Sequence, residues 1–208
     1  EDGFLRLVWG MGTRAVDRVD NDFPRMVALS HPNLRPDSGA QEIRRHSQHS
    51  VDLIDLEKNT FDTRAVSDII PTDDPALPYL ASEDHDDYIQ PLFSDARMAN
   101  PERLVLTFDG LLKKTPFVQL MKTMLRRLEA VYQFPVDIEF TAEILADAKR
   151  PGVRVQLLQC RPQSQYAPNQ QAILPKNVPD ADKIFSTDRL VPSGVVSEIR
   201  YIVYVSPE

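Results

Sequence analysis

Two acidic side chains in the second half of the chain have a spacing that suits a magnesium nucleotide. Asp137 and Glu139 lie two residues apart in an alternating apolar and acidic run from Val136 to Phe140. This alternation predicts a strand that carries both carboxylates on one face, roughly 6 to 7 Å apart. Mg²⁺ prefers oxygen ligands and is commonly held by one or two carboxylates together with substrate phosphate oxygens. The pair could therefore serve as metal ligands beside a phosphate.

A second predicted strand, Val153 to Arg161, could complete this group. Period two places Val155, Leu157, Gln159 and Arg161 on one face of it. Gln159 would add a neutral oxygen ligand for the metal, and Arg161 a guanidinium able to bind phosphate through two hydrogen bonds. We expect these two side chains to share one cleft with the carboxylates of the neighbouring strand.

The same spacing has a plainer interpretation. Two acids on an amphipathic strand usually belong to a solvated face, and an arginine opposite them usually forms a cross-strand ion pair. Periodicity alone does not distinguish this interpretation from a metal site.

A helix is predicted immediately before the acidic strand. From Pro116 to about Gln133, apolar residues recur at helical spacing on one side, which is typical of a helix packed on a sheet. Thr115 is the expected N-cap, with Pro116 at the first helical position. Phe134 and Pro135 end the helix and lead into the strand.

The rest of the chain is predicted to contain further strands and several irregular segments. Near the start, a strand from Phe4 to Trp9 is followed by a turn signal at Gly10-Met11-Gly12. The other predicted strands are Arg25 to Leu29, a hairpin of Val51 to Leu56 with Thr60 to Val66, Arg103 to Phe108, and Val195 to Val205. The irregular segments are an exposed loop at 33–48, a surface loop or ordered extension at 71–91, a flexible hairpin loop at 141–152 and a proline- and glutamine-rich arm at 162–179.

Composition excludes several classes of function. The 208 residues carry 31 acidic and 24 basic side chains, a net charge of −7, which argues against a surface for nucleic acid or an anionic membrane. No apolar run approaches the roughly 20 residues needed to cross a bilayer. The single cysteine, Cys160, excludes an internal disulfide and fits a reducing compartment. We therefore expect a cytoplasmic protein without nucleic-acid or membrane partners.

Two motifs carry a family resemblance. Phe134-Pro-Val-Asp-Ile-Glu139, followed by Gln156-Leu-Leu-Gln-Cys-Arg-Pro162, is similar to the end of the ATP-binding domain of the phosphoenolpyruvate synthase and pyruvate phosphate dikinase family. That family commonly reads P-x-D-I-E and then L-Q-x-R-P on the last strands of an ATP-grasp fold. Gly10-Met11-Gly12 further resembles the family's G-L-G-E turn. Thr13 departs from that pattern, because it stands where the family has glutamate.

The resemblance implies a fold and a domain organisation. The fold is α+β, the C-terminal lobe of an ATP-grasp domain, with a mostly antiparallel sheet and helices packed on one face. This lobe would cover residues 1–165, with polar excursions near 33–48 and 71–100. Residues 166–208 would be a linker arm and a terminal strand leading toward the next domain. The chain is accordingly expected to be part of a longer protein.

The resemblance also implies a site with Mg²⁺ and ATP as cofactors. Asp137, Glu139 and Gln159 correspond to metal-side ligands, Arg161 to a catalytic, phosphate-contacting arginine, and Gln159 and Arg161 also to nucleotide contacts. Gly10 and Gly12 would bind the nucleotide through the turn. In the parent enzyme, ATP would phosphorylate a histidine on a phosphohistidine domain, and the phosphoryl group would pass to pyruvate in a pyruvate-binding barrel. The chain alone is expected to be inactive.

Two alternatives remain open at this point. Relatives of this kind phosphorylate other acceptors, such as phosphate, glucan or an antibiotic, and the acceptor is chosen by domains outside this segment. The chain could also be a non-catalytic interaction module that keeps the fold, for which Thr13 is the best support.

Overall fold

The computed structural model describes residues 2–16, 21–36, 39–92, 99–146 and 151–163, together with 179, 181, 183, 200 and 201. Helices and strands alternate irregularly along these segments, which confirms the predicted α+β class. The helices are α1 (Thr13–Val16), α2 (Ala40–Arg45), α3 (Val66–Ile69), α4 (Leu77–Leu80), α5 (Asp109–Lys114) and α6 (Phe117–Tyr132). The strands are β1 (Phe4–Leu7), β2 (Arg25–Ala28), β3 (Ser50–Asp55), β4 (Thr60–Ala65), β5 (Ala81–Asp84), β6 (Ile89–Pro91), β7 (Leu104–Leu106), β8 (Val136–Leu145) and β9 (Gly152–Pro162).

Strand pairing in the described segments is antiparallel and is divided among small sheets. β1 pairs with β2, β3 with β4 and β8 with β9, while β5 lies between β6 and β7. The β3–β4 hairpin confirms the predicted one, and its strands face each other from Ser50 opposite Ala65 to Asp55 opposite Thr60. The predicted strands near residues 4, 25 and 104 are present and somewhat shorter than expected.

Helix α6 lies at the centre of the core. Phe117 and Met121, on its apolar side, are fully buried together with Val27, Leu29 and Leu77. The helix begins one residue later than predicted, so Pro116 and not Thr115 occupies the N-cap position, and the Thr115 hydroxyl accepts a hydrogen bond from the backbone N–H of Phe117 at 3.2 Å. One face of β8 packs on the same core, with the rings of Phe117 and Phe140 6.2 Å apart between centroids. Helix α6 therefore anchors the strand that carries the acidic pair.

The prediction of a flexible loop at 141–152 is wrong. β8 continues to Leu145 and β9 begins at Gly152, so the connection is reduced to residues 146–151. Cross-strand pairs such as Ile144 with Val153, which both pack against the core, extend the ladder beyond the alternating run of Val136 to Phe140. The result is a long two-stranded ladder rather than two short strands joined by a loop.

Two segments without hydrophobic periodicity also contain regular structure. The 71–91 segment, for which an ordered extension was one alternative, holds α4, β5 and β6. The 33–48 segment, predicted as an exposed loop, holds α2 and ends in the buried residues Ser47 and Gln48. Polar side chains are buried here because they are hydrogen-bonded, as Ser47 is to the carbonyl oxygen of Arg44 and Ser82 is to Thr107, each at 2.7 Å. Burial of this kind leaves no apolar pattern to recognise.

The terminal strand predicted at 195–205 and the arm from residue 166 onward lie outside the described residues, apart from the isolated positions named above. In the described part of the chain, no helix has both the length and the apolar character needed to span a bilayer.

Candidate functional site

The four predicted side chains of β8 and β9 meet on one face of the ladder. Asp137 lies directly opposite Arg161, and Glu139 lies directly opposite Gln159. Directly opposed residues of antiparallel strands project from the same face. The structure thus brings together the carboxylates, the amide and the guanidinium that the sequence placed in one cluster.

A β-bulge in β9 places part of that strand on the face opposite to the one predicted. Glu139 pairs with Gln159 while the next residue, Phe140, pairs with Leu157, so Leu158 is an extra residue on β9. One extra residue moves every side chain beyond it to the opposite face. The prediction that Val155 and Leu157 share a face with Gln159 and Arg161 is therefore wrong, and Val155 packs against the core.

Arg161 lies between the two carboxylates. Its Nη2 atom is 3.3 Å from Asp137 Oδ2 and 3.7 Å from Glu139 Oε1. The three side chains are 56 to 60% exposed, and ion pairs at this exposure contribute about 0 to 1 kcal/mol to stability. The cross-strand ion pair that the plainer interpretation expects is thus present, and Arg161 forms it with the two acids proposed for the site. The stability of the fold depends little on this pair.

The donor set fits Mg²⁺ as a partial ligand set. The described residues contain no group of three or more His, Cys, Asp and Glu side chains arranged for a metal. Two carboxylates and the Gln159 amide oxygen are nevertheless hard oxygen donors on one exposed face. Because Mg²⁺ commonly takes one or two carboxylates and completes its shell with water and phosphate oxygens, these residues would hold it only together with a phosphate ligand.

Gly10 and Gly12 differ in what the fold requires of them. Gly10 has φ of +90°, and a Cβ atom there would lie 2.3 Å from Val51 Cγ2, so any larger residue would be strained. At Gly12 a Cβ atom would meet no atom within 4 Å among the described residues. Gly10 thus shapes the turn against β3, whereas the space above Gly12 is open. In the described part of the chain, no hydrogen bond or ion pair links this turn to the four side chains on β8 and β9.

A buried polar cluster under the turn was not predicted from the sequence. Arg14 forms ion pairs with Asp22 at 3.0 Å and with Asp52 at 2.9 Å. Asp52 also accepts hydrogen bonds from the hydroxyls of Thr13, at 2.6 Å, and Thr63, at 2.7 Å. A carboxylate inside the apolar run of β3 was the one available signal, because a charge at such a position must be paired to be buried.

This cluster predicts a loss of stability in acid. Hydrogen bonds from Arg14, Thr13 and Thr63 lower the pKa of Asp52 from 3.8 to about 2. The folded-state pKa lies below the unfolded value, so the stabilisation is present above the unfolded pKa and is lost as the pH falls through the folded one. We expect Asp52→Asn to lower the free energy of unfolding by about 2 kcal/mol near neutral pH and less at the acid end. Urea denaturation of the wild type and of Asp52→Asn at a series of pH values from neutral to acid measures this difference in stability. Parallel pH dependences of the two proteins would show that Asp52 is not the group responsible.

Comparison with known proteins gives one match. The family model described as the AMP/ATP-binding domain of pyruvate phosphate dikinase matches residues 1–182, most of the chain. Neither curated proteins nor solved structures give a significant match.

Proposed function

Since the chain belongs to the pyruvate phosphate dikinase AMP/ATP-binding domain family, we propose that the exposed face of β8 and β9 is the magnesium-facing wall of its ATP site. The observation that carries this proposal is the convergence of Asp137, Glu139, Gln159 and Arg161 on one solvent-accessible surface. These residues are present where a nucleotide could reach them, and the fold does not need them for packing.

Each side chain has a distinct role in this proposal. Asp137 and Glu139 would hold Mg²⁺, with the Gln159 amide oxygen as a further ligand. When bound, the metal supplies positive charge that offsets the phosphates of ATP. Arg161 is the catalytic residue of the set, because its guanidinium can donate two hydrogen bonds to a phosphate and stabilise charge that develops there.

In the free protein, Arg161 neutralises the carboxylates that would later bind the cation. A phosphate ligand would draw the guanidinium toward itself, because a bidentate hydrogen bond to phosphate is stronger than a pair of exposed, long ion pairs. The carboxylates would then be available to the metal. The exposed side chains need only change rotamer for this exchange, and the backbone of the ladder can stay fixed.

The glycine turn supports the proposal from a second region. Among the described residues, none accepts a hydrogen bond from the backbone N–H groups of Gly10, Met11 or Gly12. All three residues are exposed, so these donors are accessible to a nucleotide. Gly10 and Gly12 are therefore proposed as nucleotide-binding residues, in agreement with the resemblance of the turn.

At the level of the reaction, we propose that the chain serves a phosphoenolpyruvate synthase-like enzyme. That enzyme converts ATP, pyruvate and water to phosphoenolpyruvate, AMP and phosphate. The chain would supply the ATP-side wall, and a phosphohistidine domain and a pyruvate-binding barrel of the parent protein would supply the remaining machinery. The family assignment supports an ATP-dependent phosphotransferase, and pyruvate as acceptor is the finer part of the proposal.

Substitution of the carboxylates tests the site. In the full protein we expect Asp137→Ala or Glu139→Ala to weaken ATP binding in the presence of Mg²⁺ by about tenfold, a loss of about 1.4 kcal/mol. Calorimetric titration with ATP measures this. The matched control is Glu143→Ala, because Glu143 is an exposed acid on the same face of β8 and pairs with Arg154 at 2.7 Å. Equal affinities in all three variants would contradict the proposed site.

A non-catalytic module is the second candidate, and one contact favours it. Thr13 replaces the glutamate of the resembling motif, and its hydroxyl is engaged with Asp52 at 2.6 Å rather than free for a ligand. A module of this kind would bind no ATP with or without magnesium, so the same titration of the wild-type protein separates the two candidates.

A further inference from the structure

Buried polar side chains hold both ends of the glycine turn, residues 10–12. On the side of β1, Gln48 binds the backbone of Trp9. The Trp9 N–H donates to Gln48 Oε1 at 2.7 Å, and Gln48 Nε2 donates to the Trp9 carbonyl oxygen at 2.9 Å and to that of Ser50 at 2.8 Å. Gln48 is only 4% exposed. Three hydrogen bonds at a buried amide fix the residue from which the turn departs.

Asp52 holds the other end. It accepts hydrogen bonds from the Thr13 hydroxyl at 2.6 Å and from Arg14 at 2.9 and 3.0 Å through two guanidinium nitrogens. Asp52 is 6% exposed. A charge-assisted pair in this geometry fixes both the position and the orientation of the residues that follow the turn.

The turn is also supported from below by the same stretch of chain. Val51, between the two polar anchors, packs against Gly10, since a Cβ atom at Gly10 would lie 2.3 Å from Val51 Cγ2. Residues 48–52 therefore contact the residue before the turn, its first glycine and the two residues after it. Both ends of the turn and its first glycine are thus held in place, which limits the shapes that the exposed backbone between them can adopt.

From this arrangement we infer that Gln48 and Asp52 are positioning residues for nucleotide binding, which set the shape of the Gly10–Gly12 turn before the ligand arrives. The inference rests on the proposed function. Neither side chain reaches the ligand itself, since both are buried and their polar atoms are used within the protein. Their effect is transmitted through the backbone of the turn, where preorganisation removes an entropic cost from binding.

The test separates positioning from general stability. Gln48→Leu removes all three amide bonds, and Asp52→Asn removes the charge that holds Arg14. Asp84→Asn is the matched control, because Asp84 is similarly buried and is paired with Arg44, whose Nη2 lies 2.7 Å from Asp84 Oδ1, on the sheet of β5 rather than at the turn. All variants should lose stability, and ATP affinity is measured by calorimetry at a temperature where each is fully folded by circular dichroism.

We expect Gln48→Leu and Asp52→Asn to weaken ATP binding by about fivefold to tenfold, the value of one or two hydrogen bonds, while Asp84→Asn keeps the wild-type affinity. The chain's single tryptophan, Trp9, adds a local readout. Its fluorescence in the free protein should differ from wild type in Gln48→Leu and should match wild type in Asp84→Asn.

Should either buried variant fail to fold, Thr13→Val tests the same anchor with a smaller change, because it removes only the hydroxyl bond to Asp52. Thr13→Ser should restore affinity. The inference is overturned if Gln48→Leu and Asp52→Asn bind ATP within about twofold of the wild-type affinity. Where these variants do not fold, the same result in Thr13→Val overturns it. In either case ATP binding by the wild-type protein leaves the proposed function standing. An equal loss in Asp84→Asn also overturns it. If the wild-type protein binds no ATP, the proposed function fails and this inference with it.

Discussion

Phe117→Ala should destabilise the protein more than any other single change considered, by about 3 to 5 kcal/mol. Phe117 is fully buried at the start of α6 and its ring lies against Phe140 of β8. Truncation removes the transfer free energy of a phenyl group and leaves a cavity between the helix and the ladder. Chemical denaturation followed by circular dichroism measures the loss.

The control for this prediction is Phe61→Ala. Phe61 lies on the β3–β4 hairpin and is 60% exposed, so its truncation should change the free energy of unfolding by about 0.5 kcal/mol or less. Similar losses at the two positions would mean that α6 does not anchor β8 as described. The comparison matters for function because the same contact fixes the strand that carries Asp137 and Glu139.

Arg161→Met should have the largest effect on nucleotide binding. The substitution keeps an unbranched apolar stem and removes the guanidinium. Since hydrogen bonds that involve charged groups contribute about 1.5 to 3 kcal/mol, we expect ATP affinity in the presence of Mg²⁺ to fall by about tenfold to a hundredfold. Stability should hardly change, because the ion pairs of Arg161 are exposed.

Arg154→Met provides the matched control for Arg161. Arg154 is an exposed arginine on the same face of β9, paired with Glu143 across the ladder. Its replacement should leave ATP affinity unchanged. If both methionine variants bind ATP like the wild type, Arg161 is only a surface ion-pair residue and the plainer interpretation of the cluster is correct.

The sequence predicted the parts of the site that depend on regular periodicity. Helix α6 has a long one-sided apolar pattern, and the alternation around Asp137 and Glu139 assigns both acids to one face without knowledge of the fold. Gln159 and Arg161 were placed correctly because they lie on the same side of the bulge as their partners. Before the bulge in β9, at Val155 and Leu157, the extra residue Leu158 reverses the faces. Nothing in the sequence marks a bulge at a leucine.

Other features could not be predicted because they depend on tertiary hydrogen bonding. β5, the central strand of its sheet, reads Ala-Ser-Glu-Asp, and it is buried because Ser82 bonds to Thr107 and Asp84 to Arg44. Gln48 ends a polar segment that was predicted to be exposed. Its hydrogen bonds to the Trp9 backbone join residues 39 positions apart in the chain, so they could not be predicted from the local sequence. Polar residues that are buried through partners distant in sequence carry no periodic signal.

ATP affinity of the wild-type protein, measured with and without Mg²⁺, tests the central claim most directly. If β8 and β9 present two carboxylates to a metal-bound nucleotide, Mg²⁺ should strengthen ATP binding by about tenfold or more, and Asp137→Asn combined with Glu139→Gln should abolish that increase. Identical affinities in the presence and absence of the metal, or an undiminished increase in the double variant, would contradict the proposed magnesium-facing wall.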